Sequence, residues 1–90
     1  GEVEEMFINT DFLKNDEKFV IRAKKNRNVI YKGKTKNIMD VANMYKGIYR
    51  MDFMDKHGKK IECKISYIPV RLCEFPKRPF VLVVVYGFGA

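Results

Sequence analysis

Tyr49-Arg50-Met51-Asp52-Phe53 and Ile61-Glu62-Cys63-Lys64-Ile65-Ser66-Tyr67 each alternate apolar with polar residues, and Asp55-Lys56-His57-Gly58 lies between them. Period two sets Tyr49, Met51 and Phe53 on one side of an extended chain and Arg50 and Asp52 on the other. Two such runs around a glycine-containing turn predict a β-hairpin with one wet face. Past Tyr67 the apolar residues move to even positions, Ile68, Val70 and Leu72, with Pro69 at the change. Proline cannot donate to a ladder, so a bend or bulge is expected there, re-aiming the strand onto another face. Pro76 and Pro79 then bracket a basic loop, Lys77-Arg78. Phe80 to Tyr86 is apolar on both faces, as a covered central strand would be.

Toward the N-terminus, Asn37 with Asp40 three residues on predicts a helix start, since Asn caps free amides and an early acid suits the helix dipole. Ile38, Val41, Ala42 and Tyr45 then share one helical face, and Gly47 closes the element. Val29-Ile30-Tyr31 reads as a short strand with Lys32-Gly33-Lys34 as its turn. Phe19-Val20-Ile21 reads as a short buried strand of the parallel, central kind. Residues 3–14 contain Val3, Met6, Phe7, Ile8, Phe12 and Leu13 and neither Gly nor Pro. Their 3, 6, 7 spacing predicts a helix with its glutamates at the positive end. The fold class expected is therefore α+β: an N-terminal helix, a mixed or antiparallel β-sheet and one further helix.

Ninety residues suit one small domain, and 47% hydrophobic with 32% charged residues argues against a disordered chain. The run Phe80 to Tyr86 is far short of the roughly 20 residues a membrane span needs, and no secretory signal is visible. No membrane partner and a cytoplasmic location are expected. The start Gly-Glu-Val suggests a segment of a longer protein. Cys63 and Cys73, with His57, give three soft ligands at most and no zinc spacing, so no metal site is expected. No nucleophile motif or phosphate-cradling glycine loop occurs, and Gly87-Phe88-Gly89 has no helix after it, so no catalytic residue is assigned.

Charge is the strongest organising signal. Lys plus Arg number 18 against 11 Asp plus Glu, a formal charge of +7. Residues 1–17 hold six acids against Lys14 alone, whereas residues 18–36 hold eight cations and no acid. Arg22 and Lys24 alternate at the end of a strand, and Lys25-Asn26-Arg27-Asn28 follows as its loop. Clustered cations attract phosphate backbones and release their counterions. Arg22, Lys24, Lys25 and Arg27 are thus the candidate DNA-binding residues; the plain alternative is a solvated basic surface. Tyr31, Tyr45, Tyr49, Phe53 and Tyr67 could offer stacking faces to bases, although their phase with Met and Ile suits a core better.

From Phe19-Val20-Ile21-Arg22-Ala23-Lys24-Lys25-Asn26-Arg27 onward the chain resembles the bacterial insertion-sequence transposases of the DDE class, in the group whose ribonuclease-H-like core carries a β-rich insertion. The segments Ile68-Pro69-Val70-Arg71-Leu72 and Phe80 to Tyr86 follow in the family's order. The resemblance implies core elements in 1–27, the β-rich insertion in 28–79 and a returning core strand in 80–90. It also implies a parent that cuts and rejoins DNA at transposon ends with magnesium held by three carboxylates. The family's Asp-Arg-x-aromatic-Asp motif is absent here. Tyr67, Arg71 and Glu74 are off by one from its Tyr-x-x-Arg-x-x-x-Glu motif. This piece alone is thus expected to be inactive, needing no cofactor and supplying scaffold and a basic DNA-facing surface, with homo-oligomerisation of the parent left open. The alternatives are a free-standing basic nucleic-acid-binding domain and a structural or protein-interaction module.

Overall fold

The computed structural model describes residues 3–10 and 20–87. They form one curled antiparallel sheet, a half-barrel, with 66% strand and 8% helix. The strands are β1 (Val3–Thr10), β2 (Val20–Arg22), β3 (Asn28–Tyr31), β4 (Lys34–Asn37), β5 (Tyr49–Met54), β6 (Lys60–Leu72) and β7 (Phe75–Gly87), and one helix, α1 (Ile38–Asn43), follows β4. Their order across the sheet is β2-β1-β7-β6-β3-β4, with β5 also pairing β6.

This corrects the α+β expectation. The N-terminal helix is instead β1, antiparallel to both β2 and β7; residues 11–14 of that expected helix lie outside the described residues. Met6 and Ile8 point into the core while Phe7 pairs with Val83 on the other face. That second face is apolar too, so consecutive apolar residues in a strand imitated helical spacing. Nor is β2 a parallel central strand: it is the sheet's edge. A helix packed on a mixed, ribonuclease-H-like sheet is not what these residues form.

A short connection explains the curl. Arg22 and Asn28, the end of β2 and the start of β3, are joined by residues 23–27. In a flat sheet those strands stand four spacings apart, roughly 19 Å. Six extended residue steps reach only about 20 Å. The linker is folded besides, since Arg27 N–H donates to the Lys24 carbonyl at 3.1 Å. The two sides of the sheet must therefore bend toward each other, and Ala23 is buried in the core where they approach.

The core lies on the inner face. Met6 and Ile8 of β1, Leu82 and Val84 of β7, Ile68 and Val70 of β6 and Val29 of β3 meet Ile38, Val41 and Ala42 of α1. Six residues are too few for a helix to stand alone; α1 is held by packing and capping. Asn37 Oδ1 accepts from Met39 N–H at 2.8 Å, the cap expected from sequence. Fully burying Ile38 and Val41 stabilises by roughly 1.5–3 kcal/mol each.

The hairpin read from alternation is β5 and β6, paired Tyr49↔Ile65 through Met54↔Lys60. Asp55 Oδ1 organises its turn by accepting from His57 and Lys59 N–H, both at 2.8 Å. At Pro69 the expected bulge is absent, because β6 pairs with β7 without a break from Cys63↔Gly87 to Val70↔Phe80. Instead the outer edge of β6 is shared: β5 covers it up to Ile65, and β3 resumes at Arg71. The Ile65 carbonyl accepts from Ile48 on that side, and every second residue points the same way. Pro69 therefore directs its missing donor into the gap between β5 and β3. The register shift comes later, where β6 uses Val70 to Leu72 against Phe80 to Phe75 of β7. The surplus is the Pro76 to Pro79 stretch, which bulges from the sheet.

Candidate nucleic-acid interface

The basic run divides into three places. Arg22 ends the edge strand β2, with its side chain 71% exposed, and forms a two-pronged ion pair with Glu5 of β1, including Nε to Oε2 at 2.7 Å. Register explains the pair: Arg22 stands opposite Phe7, next to Glu5 on the same face. Lys24 and Lys25 are exposed in the turn that links β2 to β3. Arg27 turns back toward the β6–β7 connection, where its Nη2 meets Glu74 at 2.5 Å. Only 25% of the Arg27 side chain is exposed, and its Nε is buried without a hydrogen-bond partner.

Of the four residues singled out from sequence, Lys24 and Lys25 thus project freely, and Arg22 and Arg27 each already face a carboxylate. Their acid partners come from β1 and from the β6–β7 turn, 17 and 47 residues away in sequence. No local pattern could have announced them.

The other described cations of the run, Lys32, Lys34 and Lys36, decorate the β3–β4 hairpin, and Lys18 lies outside the described residues. Tyr31 pairs with Lys34, leaving Lys32 and Gly33 as a two-residue loop. Both have positive φ, 49° and 80°, the type I′ turn that suits the twist of a hairpin. Lys34 and Lys36 lie on β4, the edge opposite β2, opposite Tyr31 and Val29 respectively. The Lys24–Arg27 turn adjoins this hairpin, because the Arg27 carbonyl accepts from Ile38 N–H at 2.8 Å. Lys24, Lys25, Lys36, Lys34 and Lys32 consequently follow one border of the molecule. Among the described residues none of these five has a carboxylate within ion-pair distance. Lys34 and Lys36 were visible in the sequence as part of the acid-free run; what was missing was that they form a sheet edge.

Behind this border stands a pair of hydroxyls. Tyr31 and Tyr45 share a hydrogen bond of 2.5 Å, with their rings edge to face. The Tyr45 hydroxyl and the Lys32 and Lys36 ammonium groups lower the Tyr31 pKa, while Tyr45 is pushed up to about 12 by its bond to Tyr31 and by burial. Of the other aromatics named as stacking candidates, Tyr49 and Tyr67 lie on β5 and β6 away from the lysine border, and the Phe53 side chain lies outside the described residues. There Tyr49 and Tyr67 pack on each other at 5.4 Å.

Among the described residues no three His, Cys, Asp or Glu side chains gather as a metal would require, and no helix is long and apolar enough to cross a membrane. His57 sits in the β5–β6 turn, exposed. Set against models of known families, curated proteins and solved structures, the chain gave no match.

Proposed function

We propose that this chain is a DNA-facing β module of an insertion-sequence DDE transposase, gripping the phosphate backbone while the parent's carboxylates, outside this chain, cut and rejoin strands with magnesium. One observation carries the DNA-binding part: five lysines with no acid partner among the described residues, drawn by the β2–β3 turn and the β3–β4 hairpin to one border. Ammonium groups on flexible stems suit phosphates, which position a duplex without reading its sequence. The transposase part is supported by the order of the segments Phe19 to Arg27, Ile68 to Leu72 and Phe80 to Tyr86.

Duplex titrations over a range of salt concentrations test the reading. Replacing Lys24, Lys25, Lys34 and Lys36 with Ala together should weaken binding and flatten the log–log salt slope by about 0.9 for each phosphate left without its cation. Replacing Arg22 and Arg27 should change the slope less, since Glu5 and Glu74 already neutralise them. Identical affinity and slope in the fourfold lysine variant would refute the interface.

A second reading is a free-standing nucleic-acid-binding domain. It is favoured by the described residues forming one sheet over one core cluster. The two readings part on the flanking gene. An aspartate motif upstream together with Tyr-x-x-Arg-x-x-x-Glu downstream supports the transposase, and their absence supports the domain.

A further inference from the structure

On the face of the sheet away from the core, a concavity of about 360 Å³ opens between the Lys32–Gly33 turn and the Pro76 to Pro79 bulge. Ile30, Pro69, Pro79 and Val81 give it an apolar lining, and among the described residues Lys32 and Arg71 are its charged residues and no carboxylate lines it. Register fixes this arrangement. Ile30 stands opposite Arg71, and Pro69 opposite Val81, so these four side chains share the outer face. Arg71 is exposed and spends one N–H on the Pro76 carbonyl, at 3.4 Å. Most of its five donors remain for a ligand. Arg78 adds a third cation nearby, 5.9 Å from the Phe80 ring that also borders the space.

Lys32 supplies an independent clue. It is the one non-glycine residue with positive φ among those described. Asn or Gly would take that turn position with less strain. A strained residue at the rim of a concavity is a reason to look for function there.

The geometry points to a binding site for a phosphate monoester carried on a small apolar body. Two cations of different reach match a group bearing about −1.5 to −2 charges better than a single carboxylate would. Arginine favours such oxyanions through paired donors, and the volume falls within the range of small-ligand pockets. The body rests against Pro69, Pro79 and Val81 while the phosphate meets Arg71 and Lys32. Lys32 is shared with the lysine border of the nucleic-acid reading, but the test of that reading replaces Lys24, Lys25, Lys34 and Lys36 and leaves Lys32 and Arg71 in place, so the two can fail separately.

Phenyl phosphate titrated into the intact chain, followed by amide NMR, provides the test. It should shift Lys32, Gly33, Arg71 and Val81 together, with inorganic phosphate, benzoate and benzyl alcohol each binding roughly tenfold or more weakly. Arg71→Gln should cost a similar factor. Lys32→Asn should weaken binding while leaving the melting temperature unchanged or higher, which a purely structural role would not do. A short oligonucleotide with a terminal phosphate, compared with its dephosphorylated twin, tells whether the ester comes free or on a strand end. Shifts confined to Lys24, Lys25, Lys34 and Lys36, benzyl alcohol binding as well as phenyl phosphate, or indifference to both substitutions would overturn the assignment.

Discussion

Single residues in this chain are set by distant partners more than by their neighbours. Tyr45 shows this through its titration. In the unfolded chain it ionises near 10, and in the fold only at about 12. Below pH 10 both states keep the proton and the stabilisation is whole. Between 10 and 12 only the unfolded chain gives it up, so this contribution is lost as pH rises. Tyr31 has the opposite sign: its pKa is lowered, so it adds a small rise in stability just under pH 10. The pair thus releases one proton early and the other late. An ultraviolet titration should show the early step and lose it in Tyr45→Phe, whereas Tyr86, pushed up by its own burial, still ionises late. Five tyrosines ionising together near 10 would show that the hydroxyls do not meet. Lys32 is the other telling residue. Its left-handed backbone costs about 1–2 kcal/mol, so Lys32→Gly should stabilise by roughly 1 kcal/mol in urea unfolding.

Elements join through close approaches that constrain specific positions. After α1 the chain passes over β6 at Gly47, where φ is 76° and an added Cβ would stand 2.5 Å from the Lys64 Cβ. The Gly47 N–H also donates to the buried Ser66 hydroxyl at 2.9 Å. Gly47→Ala should therefore cost roughly 2–4 kcal/mol, combining backbone strain with overpacking. Gly58→Ala, with similar φ of 77° but open space around it, should cost only about 1–2 kcal/mol. Denaturant midpoints for the two variants, compared at equal slope, decide this. Elements built from local signals were legible in the sequence: the alternation of β5 and β6, the Asn37 cap of α1 and the Lys32–Gly33 turn. β1 was not, because Met6, Phe7 and Ile8 serve two apolar faces at once, and only the neighbouring strands reveal that. Pro69 misleads for a related reason. Its harmlessness depends on a gap between β5 and β3, two strands far apart in sequence.

For the molecule as a whole, the curl imposed by residues 23–27 brings the Lys24–Lys25 turn beside the β3–β4 border. The acid-free run was legible as a charge pattern, and so was its most exposed part. Among the described residues, its division into paired arginines and lysines without acid partners was not, since Glu5 and Glu74 join it only through tertiary structure. The outer face of the sheet has a separate outcome. Tyr49, Met51, Ile61 and Tyr67 share it by register and stay 40–53% exposed beside Val83 and Val85. A net charge of +7 keeps copies of the chain apart at low ionic strength. Salt screens that repulsion and leaves the greasy patch unchanged. Light scattering should accordingly rise with added salt at fixed protein concentration, under the same conditions that loosen the grip on a polyanion. Clumping and release would then travel together in one titration, and a Tyr49→Ser, Tyr67→Ser double variant would separate them.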